Sequence, residues 1–336
     1  EGKYSDKFEN MFASYVNNKH TSLVNSCTSA LTLAYHLSDL KKDDEIITTP
    51  MTCMATNEPA HNTGAKLVFA DIDPSTGNID PESVKKLITK RTKAVVGVHW
   101  AGEPFDIDGI KNVVKESGQD IKIVEDAAHA LGAQYKGKPI GSHSDYVCFS
   151  FQAIKHLTTV DGGAICCNNK EDDKRIKKLR WFGLDRKYKG SKWTQDIAES
   201  GYKFHMNNVN AAIGIEQMKY IDNIISSHIK NGLYYDQMIN NTKIIKLKRN
   251  KNASSSFWIY TILTEDRDKL QKYLRKNGIA SDVVHVRNDK YSVFKNSKSD
   301  CLKGADYFCE RMLNIPVGWW LSDAQKEHIV RVINEY

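Results

Sequence analysis

Most of the signatures that would place this 336-residue sequence outside an ordinary globular class are missing from it. No stretch reaches the roughly 20 consecutive apolar residues of a membrane span, so no contact with a membrane is expected. The visible N-terminus, Glu1-Gly2-Lys3-Tyr4-Ser5-Asp6, carries no apolar signal core. A reducing, cytoplasmic compartment is the resulting expectation. Seven cysteines are present (Cys27, Cys53, Cys148, Cys166, Cys167, Cys301 and Cys309), and no two have C-x-x-C spacing. Neither a zinc ribbon nor a thioredoxin-type centre is indicated, and no metal site is expected. Basic clustering is scarce as well. Lys plus Arg 48 against Asp plus Glu 41 leaves +7, dispersed except for the run Lys243–Lys251, so nucleic acid is not an expected partner. There is no internal repeat and no low-complexity tract.

Present instead is a soluble composition, 40% apolar and 26% charged. The length fits one large domain or two intimate ones. Short apolar runs at Ser22–Val24, Glu45–Thr48, Lys66–Ala70, Ala94–His99, Ile121–Glu125, Tyr146–Ser150 and Ala164–Cys167 read as strands. Helical stretches lie between them, at Thr28–Leu37, at Glu82–Ile88 behind the Asp80-Pro81 cap, and at Ile107–Glu116 before the stop Ser117-Gly118. Strand–helix alternation with near-continuously apolar strands predicts an α/β fold with a mostly parallel sheet covered on both faces. From Asn207 to Ile229 the apolar spacing predicts one long helix. The polar segment Lys230–Ser256 shows no core pattern. A smaller α+β block follows, with strand Phe257–Leu263, helix Arg267–Lys276, strand Ser281–Val286 and a final helix opened by the capping box Ser322-x-x-Gln325. The expected division is a large domain over 1–228 and a small one over 229–336.

In doubly wound sheets ligands bind beyond the carboxyl ends of the strands. Three such ends carry unusual polar residues. After Val24 comes Asn25-Ser26-Cys27-Thr28-Ser29-Ala30, small residues opening a helix, which offers free N–H groups and hydroxyls to a phosphate or is a plain cap. After Glu125 comes Asp126-Ala127-Ala128-His129, a cap or a functional carboxylate. After Ser150 comes Phe151-Gln152-Ala153-Ile154-Lys155-His156, followed by Asp161-Gly162-Gly163. A lysine there would be partly desolvated, which lowers its pKa and makes it a usable nucleophile and base. A phosphate cradle, an Asp and a desolvated Lys are together what pyridoxal 5'-phosphate requires.

These motifs resemble the DegT/StrS family of nucleotide-sugar aminotransferases, over nearly the whole chain. Asn25–Leu31 is similar to the family's phosphate turn, and Glu125–Ala130 to its E-D-A-A-[QH]-A segment. Ser150-Phe151-x-x-x-Lys155 with Asp161-Gly162-Gly163 is similar to its lysine segment. Gly201-Tyr202-Lys203-Phe204-His205-Met206, with Asn210-Ala211-Ala212-Ile213-Gly214, resembles a fourth element. The resemblance implies an aspartate-aminotransferase-like (fold type I) large domain with a small C-terminal domain. It implies Lys155 as the lysine that forms the Schiff base and Asp126 as partner of the pyridine nitrogen. His129 would lie beside the ring, and Thr28, Ser29 and Ser150 would hold the phosphate. Lys203 or His205 would reach the cofactor phosphate of a second subunit in a homodimer with shared sites, although Lys203 reads equally as a surface lysine. Cys27 stands where the family usually has Gly, so the turn cannot require a left-handed backbone there unless Cys27 is strained. Cys53 stands where relatives often place an aromatic residue against the ring, so either Cys53 or Met54 would pack there instead or the ring would be held more loosely.

The implied reaction is ping-pong transfer from L-glutamate to a nucleotide-diphosphate-linked keto-sugar, with a lean toward C4 of a 4-keto-6-deoxyhexose over C3. Arg180, Trp181 and Arg186 would suit sugar and diphosphate, or form a helix end and surface loop. His285, Arg287 and Asn288, after a small-domain strand, could face the same cleft. Three rivals are weighed. A pyridoxal phosphate-dependent sugar 3-dehydratase would have His in place of Lys155. A nicotinamide-dependent reductase or epimerase finds support only in Tyr15-x-x-x-Lys19 and Tyr291-x-x-x-Lys295, without a G-x-G-x-x-G turn. A non-catalytic regulator would keep the fold and lose turnover, against which Lys155 and Asp126 both argue.

Overall fold

Runs of β-branched and small apolar residues become central strands here because helices cover both faces of the sheet. The structure is a computed structural model and describes residues 2–299 and 301–336. In chain order, α1 (Lys3–Tyr15) leads to β1 (Thr21–Val24), α2 (Cys27–Leu37), β2 (Glu45–Thr48), α3 (Met54–Asn62) and β3 (Lys66–Phe69). There follow α4 (Pro81–Leu87), β4 (Thr92–Val98), α5 (Ile107–Ser117), β5 (Lys122–Asp126), and the short β6 (Gln134–Tyr135) and β7 (Lys138–Pro139). Next come β8 (Tyr146–Ser150), β9 (Gly163–Cys167), α6 (Lys170–Leu179), α7 (Asn208–Gln217) and α8 (Ile221–Met238). The C-terminal part adds β10 (Ile245–Lys246), β11 (Ala253–Ser254), β12 (Tyr260–Leu263), α9 (Arg267–Lys276), β13 (Lys298–Ser299), α10 (Lys303–Arg311), β14 (Met312–Ile315) and α11 (Asp323–Glu335).

The main sheet has the order β1-β9-β8-β5-β4-β2-β3-β13. Its pairs are parallel except that β9 runs antiparallel to both β1 and β8. Side chains alternate between the faces. Ala94 and Val96 of β4 and Tyr146 and Cys148 of β8 enter one core, with Leu31, Tyr35 and Phe308. Val95, Val147 and Phe149 enter the other, with Phe8, Phe12 and Ile110. A third core gathers Tyr235, Tyr260, Leu270, Leu313 and Ile329 around the antiparallel sheet β10-β12-β14. Local signals operate as their chemistry dictates. Asp80 accepts from the Glu82 N–H with Pro81 at the first position of α4, Gly118 ends α5 with φ +66°, and Ser322 and Gln325 close the reciprocal capping box of α11. No helix among the described residues is long and apolar enough to cross a membrane.

The C-terminal third departs from the sequence reading. The long helix expected from Asn207 is two helices, α7 and α8, interrupted where Lys219 and Tyr220 bond back three residues to Glu216 and Gln217. Helix α8 then runs on to Met238, through what reads as a patternless segment. Its inward positions include Asn231, whose side-chain amide donates to the Val317 and Gly318 carbonyls, and Gly232; neither registers as hydrophobic periodicity. Position 228 therefore lies inside a helix. The chain beyond it also returns to the first 228 residues, where β11 pairs with β6 in a small separate sheet and β13 extends the β3 edge of the main one. Of the strand expected at Ser281–Val286, one bridge remains, between Asp282 and Asn314.

Candidate active site

Antiparallel β9 starts where its neighbours end. Gly163 pairs with Val24 on one side and Ser150 on the other, so the carboxyl ends of β1 and β8 flank it. Asp126, the last residue of β5, lies beside Cys148 of β8. The three strand ends singled out in the sequence thus share one edge of the sheet.

At the first end the chain turns into α2. Ser26 caps the helix by accepting from the Ser29 N–H at 3.1 Å, and the Ser29 hydroxyl lies 3.0 Å from that of Ser26 while donating to Asn25 Oδ1 at 2.6 Å. Thr28 is exposed on the same first turn. Cys27 is the first residue of α2 and keeps a negative φ, so no left-handed glycine is needed. The close approach falls on Gly163 instead. A Cβ there would lie 2.6 Å from the Phe149 carbonyl oxygen and from Ser26 C, and 2.7 Å from the Cys27 nitrogen.

Asp126 is 4% exposed. Its Oδ2 accepts from the Thr56 hydroxyl at 2.7 Å and its Oδ1 from the Ala128 N–H at 3.0 Å. Thr52 and Thr56 hydroxyls are 2.6 Å apart, one turn from each other at the head of α3. That head is held from the far half of the chain by Asn288, which donates to the Thr52 carbonyl at 2.7 Å and accepts from Asn57 at 2.8 Å. Cys53 is the exposed residue capping α3, with Met54 half-buried behind it. Burial and then the Asp126 charge push the Cys27 thiol well above its usual pKa, so Cys27 is neutral beside that carboxylate.

Lys155 lies in the loop between β8 and β9. Its Nζ sits 3.6 Å from the ring centre of Trp258, and burial lowers its pKa to about 8 against the opposing pull of Asp126, Cys27 and Cys53. His129 stacks on Trp258 at 3.8 Å and lies parallel to His285 at 5.7 Å, with the edge of Trp100 against both imidazoles. Burial and then Lys155 hold both histidines neutral, His285 at about 4. Among the described residues, His129 Nδ1 and His285 Nε2 are buried with no hydrogen-bond partner. His156 is turned into the core, edge-on to His228 at 4.5 Å. Ser150 is half-buried, its Oγ accepting from the Gln152 N–H at 3.3 Å.

A second cluster forms on Trp181, next to the turn into α2. The Arg186 guanidinium and the Lys203 amine lie 4.8 and 4.6 Å from its ring, and His205 meets it edge-on at 4.2 Å. Residues 203–205 are tied to the phosphate-turn candidate, since Asn25 N–H donates to the Phe204 carbonyl at 2.7 Å. Two residues expected to meet substrate are engaged elsewhere. Arg180 is buried, donating to Glu9 at 2.6 Å and to the Leu23 carbonyl at 2.9 Å, which pins α1 to β1. Arg287 is buried against Asp289, bidentately at 2.7 and 2.8 Å, and against Asp306. In this structure both arginines are held by carboxylates of the fold itself. Sequence reading missed Thr56 and Trp258. Thr52-x-x-x-Thr56 could have been seen as an i,i+4 pair, whereas nothing local marks Trp258.

The DegT/DnrJ/EryC1/StrS aminotransferase family model matches residues 1–334. A Campylobacter jejuni UDP-4-amino-4,6-dideoxy-N-acetyl-beta-L-altrosamine transaminase is 34% identical over 94% of this chain and 85% of its own. The GDP-perosamine synthase of Caulobacter vibrioides is 31% identical over 99% of this chain and 90% of its own. The crystal structure of the sugar aminotransferase CalS13 from Micromonospora echinospora superposes with a TM-score of 0.96 at 32% identity, over all of this chain and 92% of that one. The fold is thus the α/β architecture of fold-type I sugar aminotransferases, and the chain belongs to the DegT/DnrJ/EryC1/StrS aminotransferase family.

Proposed function

We propose that this aminotransferase uses pyridoxal 5'-phosphate to move an amino group from L-glutamate to a nucleotide-linked keto-sugar, at C4 of a 4-keto-6-deoxyhexose. The observation that carries the reading is the convergence of a buried carboxylate, Asp126, and a desolvated amine, Lys155, at one end of the sheet beside the N-terminus of α2. The relatives' names support the substrate class, and the 4-amino-4,6-dideoxy sugar in one of them favours C4.

The residues fit the cofactor. Thr28, Ser29 and Ser150 with the α2 N–H groups would take the phosphate. Asp126 would hold a proton at the pyridine nitrogen, its oxygens fixed for that by Thr56 and Ala128. The orphaned Nδ1 of His129 needs a polar partner of the kind the cofactor's rim supplies. When bound, the cofactor supplies an electron sink for the carbon that bears the amine. Lys155, depressed to about 8, is partly deprotonated at neutral pH and can remove a proton from that carbon and return one to its neighbour. Trp258, Trp100 and the two neutral histidines exclude water around it. Lysine holds position 155, and the imidazole that follows it, His156, packs on His228; this supports transamination over dehydration. Exposed Lys203 and half-buried His205 would complete the site of a second copy, giving a dimer with shared active sites.

The test is the visible spectrum of the purified protein with pyridoxal phosphate, before and after L-glutamate, beside Lys155→Ala. A yellow band that glutamate bleaches in the wild type and not in the variant is expected. A protein that stays colourless would overturn the reading and leave a non-catalytic binding protein.

A further inference from the structure

Trp258 belongs to none of the sequence motifs, yet several independent contacts hold it against Lys155 and His129. Phe257, the residue before it, has φ +49°, a left-handed backbone that a bulky side chain adopts only when its surroundings enforce it. Those surroundings are specific. The Phe257 ring fills the space over Gly232 of α8 where any side chain would collide with it, and the Arg249 guanidinium covers the ring at 4.5 Å. The Phe257 carbonyl accepts from His228 Nδ1 at 2.9 Å. One residue earlier, the Ser256 N–H donates to the Gly102 carbonyl at 3.1 Å and its hydroxyl to the His129 carbonyl at 3.1 Å. Gly102 has φ +94°, and a Cβ there would lie 2.6 Å from Ser256 Oγ.

The result is an indole with no freedom left. His129 and the Lys155 amine, both within 4 Å of its centre, must occupy opposite faces. Its Nε1–H donates to the carbonyl of Ile154, the residue before the lysine, at 2.9 Å. We propose that Trp258 is a positioning residue for Lys155, holding the lysine loop by its N–H and the amine by the face turned away from His129, with His129 as backing. The proposal rests on the reading of Lys155 as the reactive amine. A four-carbon side chain in an open loop would otherwise place its charge in water. The groups that face it are Asp126 from β5, Cys27 from α2, Cys53 at the head of α3, and His129, His156 and His285. An aromatic face favours the charged amine, and burial favours the neutral one. Burial is the larger influence here, so removing the indole and admitting water raises the lysine's midpoint.

The experiment is competitive acetylation of the cofactor-free full chain from about pH 6 to 11, with the Lys155 peptide read by mass spectrometry. The wild-type midpoint is expected near 8. Trp258→Phe keeps the face and stays within roughly half a unit, whereas Trp258→Ala moves up by about one unit or more toward an ordinary lysine. Trp258→Asn repeats the test should the alanine protein fail to fold. A midpoint unchanged in both Ala and Asn would overturn the proposal. Because no cofactor is present, the outcome is separable from the proposed function. A shifted midpoint in a protein that never turns yellow upholds the placement and sinks that function; an unshifted one in a protein that does turn yellow does the reverse.

Discussion

Glu45 offers the most quantitative test of how the two halves of the chain are held together. It begins β2 and is fully buried, yet its carboxylate collects the Lys298 amine at 2.6 Å, the Arg91 guanidinium at 2.7 Å and the Thr89 hydroxyl at 2.5 Å. Burial alone would raise its pKa; the hydrogen bonds from Lys298, Thr89 and Arg91 overcome that and hold it at about 2, against 4.5 ordinarily. Such a difference contributes roughly 3 kcal/mol at neutral pH. Lys298 and Arg91 are each about half exposed, 52% and 53%, so screening trims the contribution to ~2 kcal/mol. Because the folded pKa is depressed, the stabilisation is complete above pH 4.5 and is lost as pH falls toward 2; roughly 40% of it remains at pH 3. Glu45→Gln should therefore unfold in urea with ~2 kcal/mol less stability at neutral pH, and the gap to wild type should close steadily below about pH 4.5. A gap independent of pH would refute the reasoning, since it would mean the carboxylate's charge is not what its partners hold.

Two further substitutions probe the site. Gly163→Ala puts a methyl against three backbone atoms that cannot swing aside, so it should lower stability by about 3 kcal/mol and weaken pyridoxal phosphate binding, measured by spectral titration. Thr56→Val removes one of two strong donors to buried Asp126; a loss of roughly 2 kcal/mol in urea unfolding is expected, and wild-type stability would show that the carboxylate has another partner.

The sheet and its edge residues were legible because they obey local rules. Continuous apolar runs bounded by small polar residues marked seven strands of the main sheet, and Asp126, Lys155 and the Ser26–Ser29 turn follow their carboxyl ends. Edge strand β13, of two exposed residues, carried no such run. Helices α1, α3 and α6 went unnamed, α3 because it contains Pro59 and few apolar residues. Harder to read were positions that only distant contacts define. Arg180 and Arg287 look like free cations in a sequence, and become structural once Glu9, Asp289 and Asp306 arrive from elsewhere. Trp258 is one aromatic among many until a strained backbone and Gly232 of another helix point it at Lys155.

The reversed direction of β9 also bears on the order in which the molecule assembles. β8 and β9 form a hairpin, so the loop carrying Lys155 closes over a dozen residues and can form early. The opposite side of β9 must find β1, whose Val24 was synthesised well over a hundred residues before its partner Gly163. Until then β1, buried at all four positions in the finished fold, has no ladder to join. Loop closure over that separation is slow, and an apolar strand left waiting is where misassembly begins. By sequence separation the β1–β9 pairing beside the turn into α2 is therefore expected to close after the hairpin that carries the lysine.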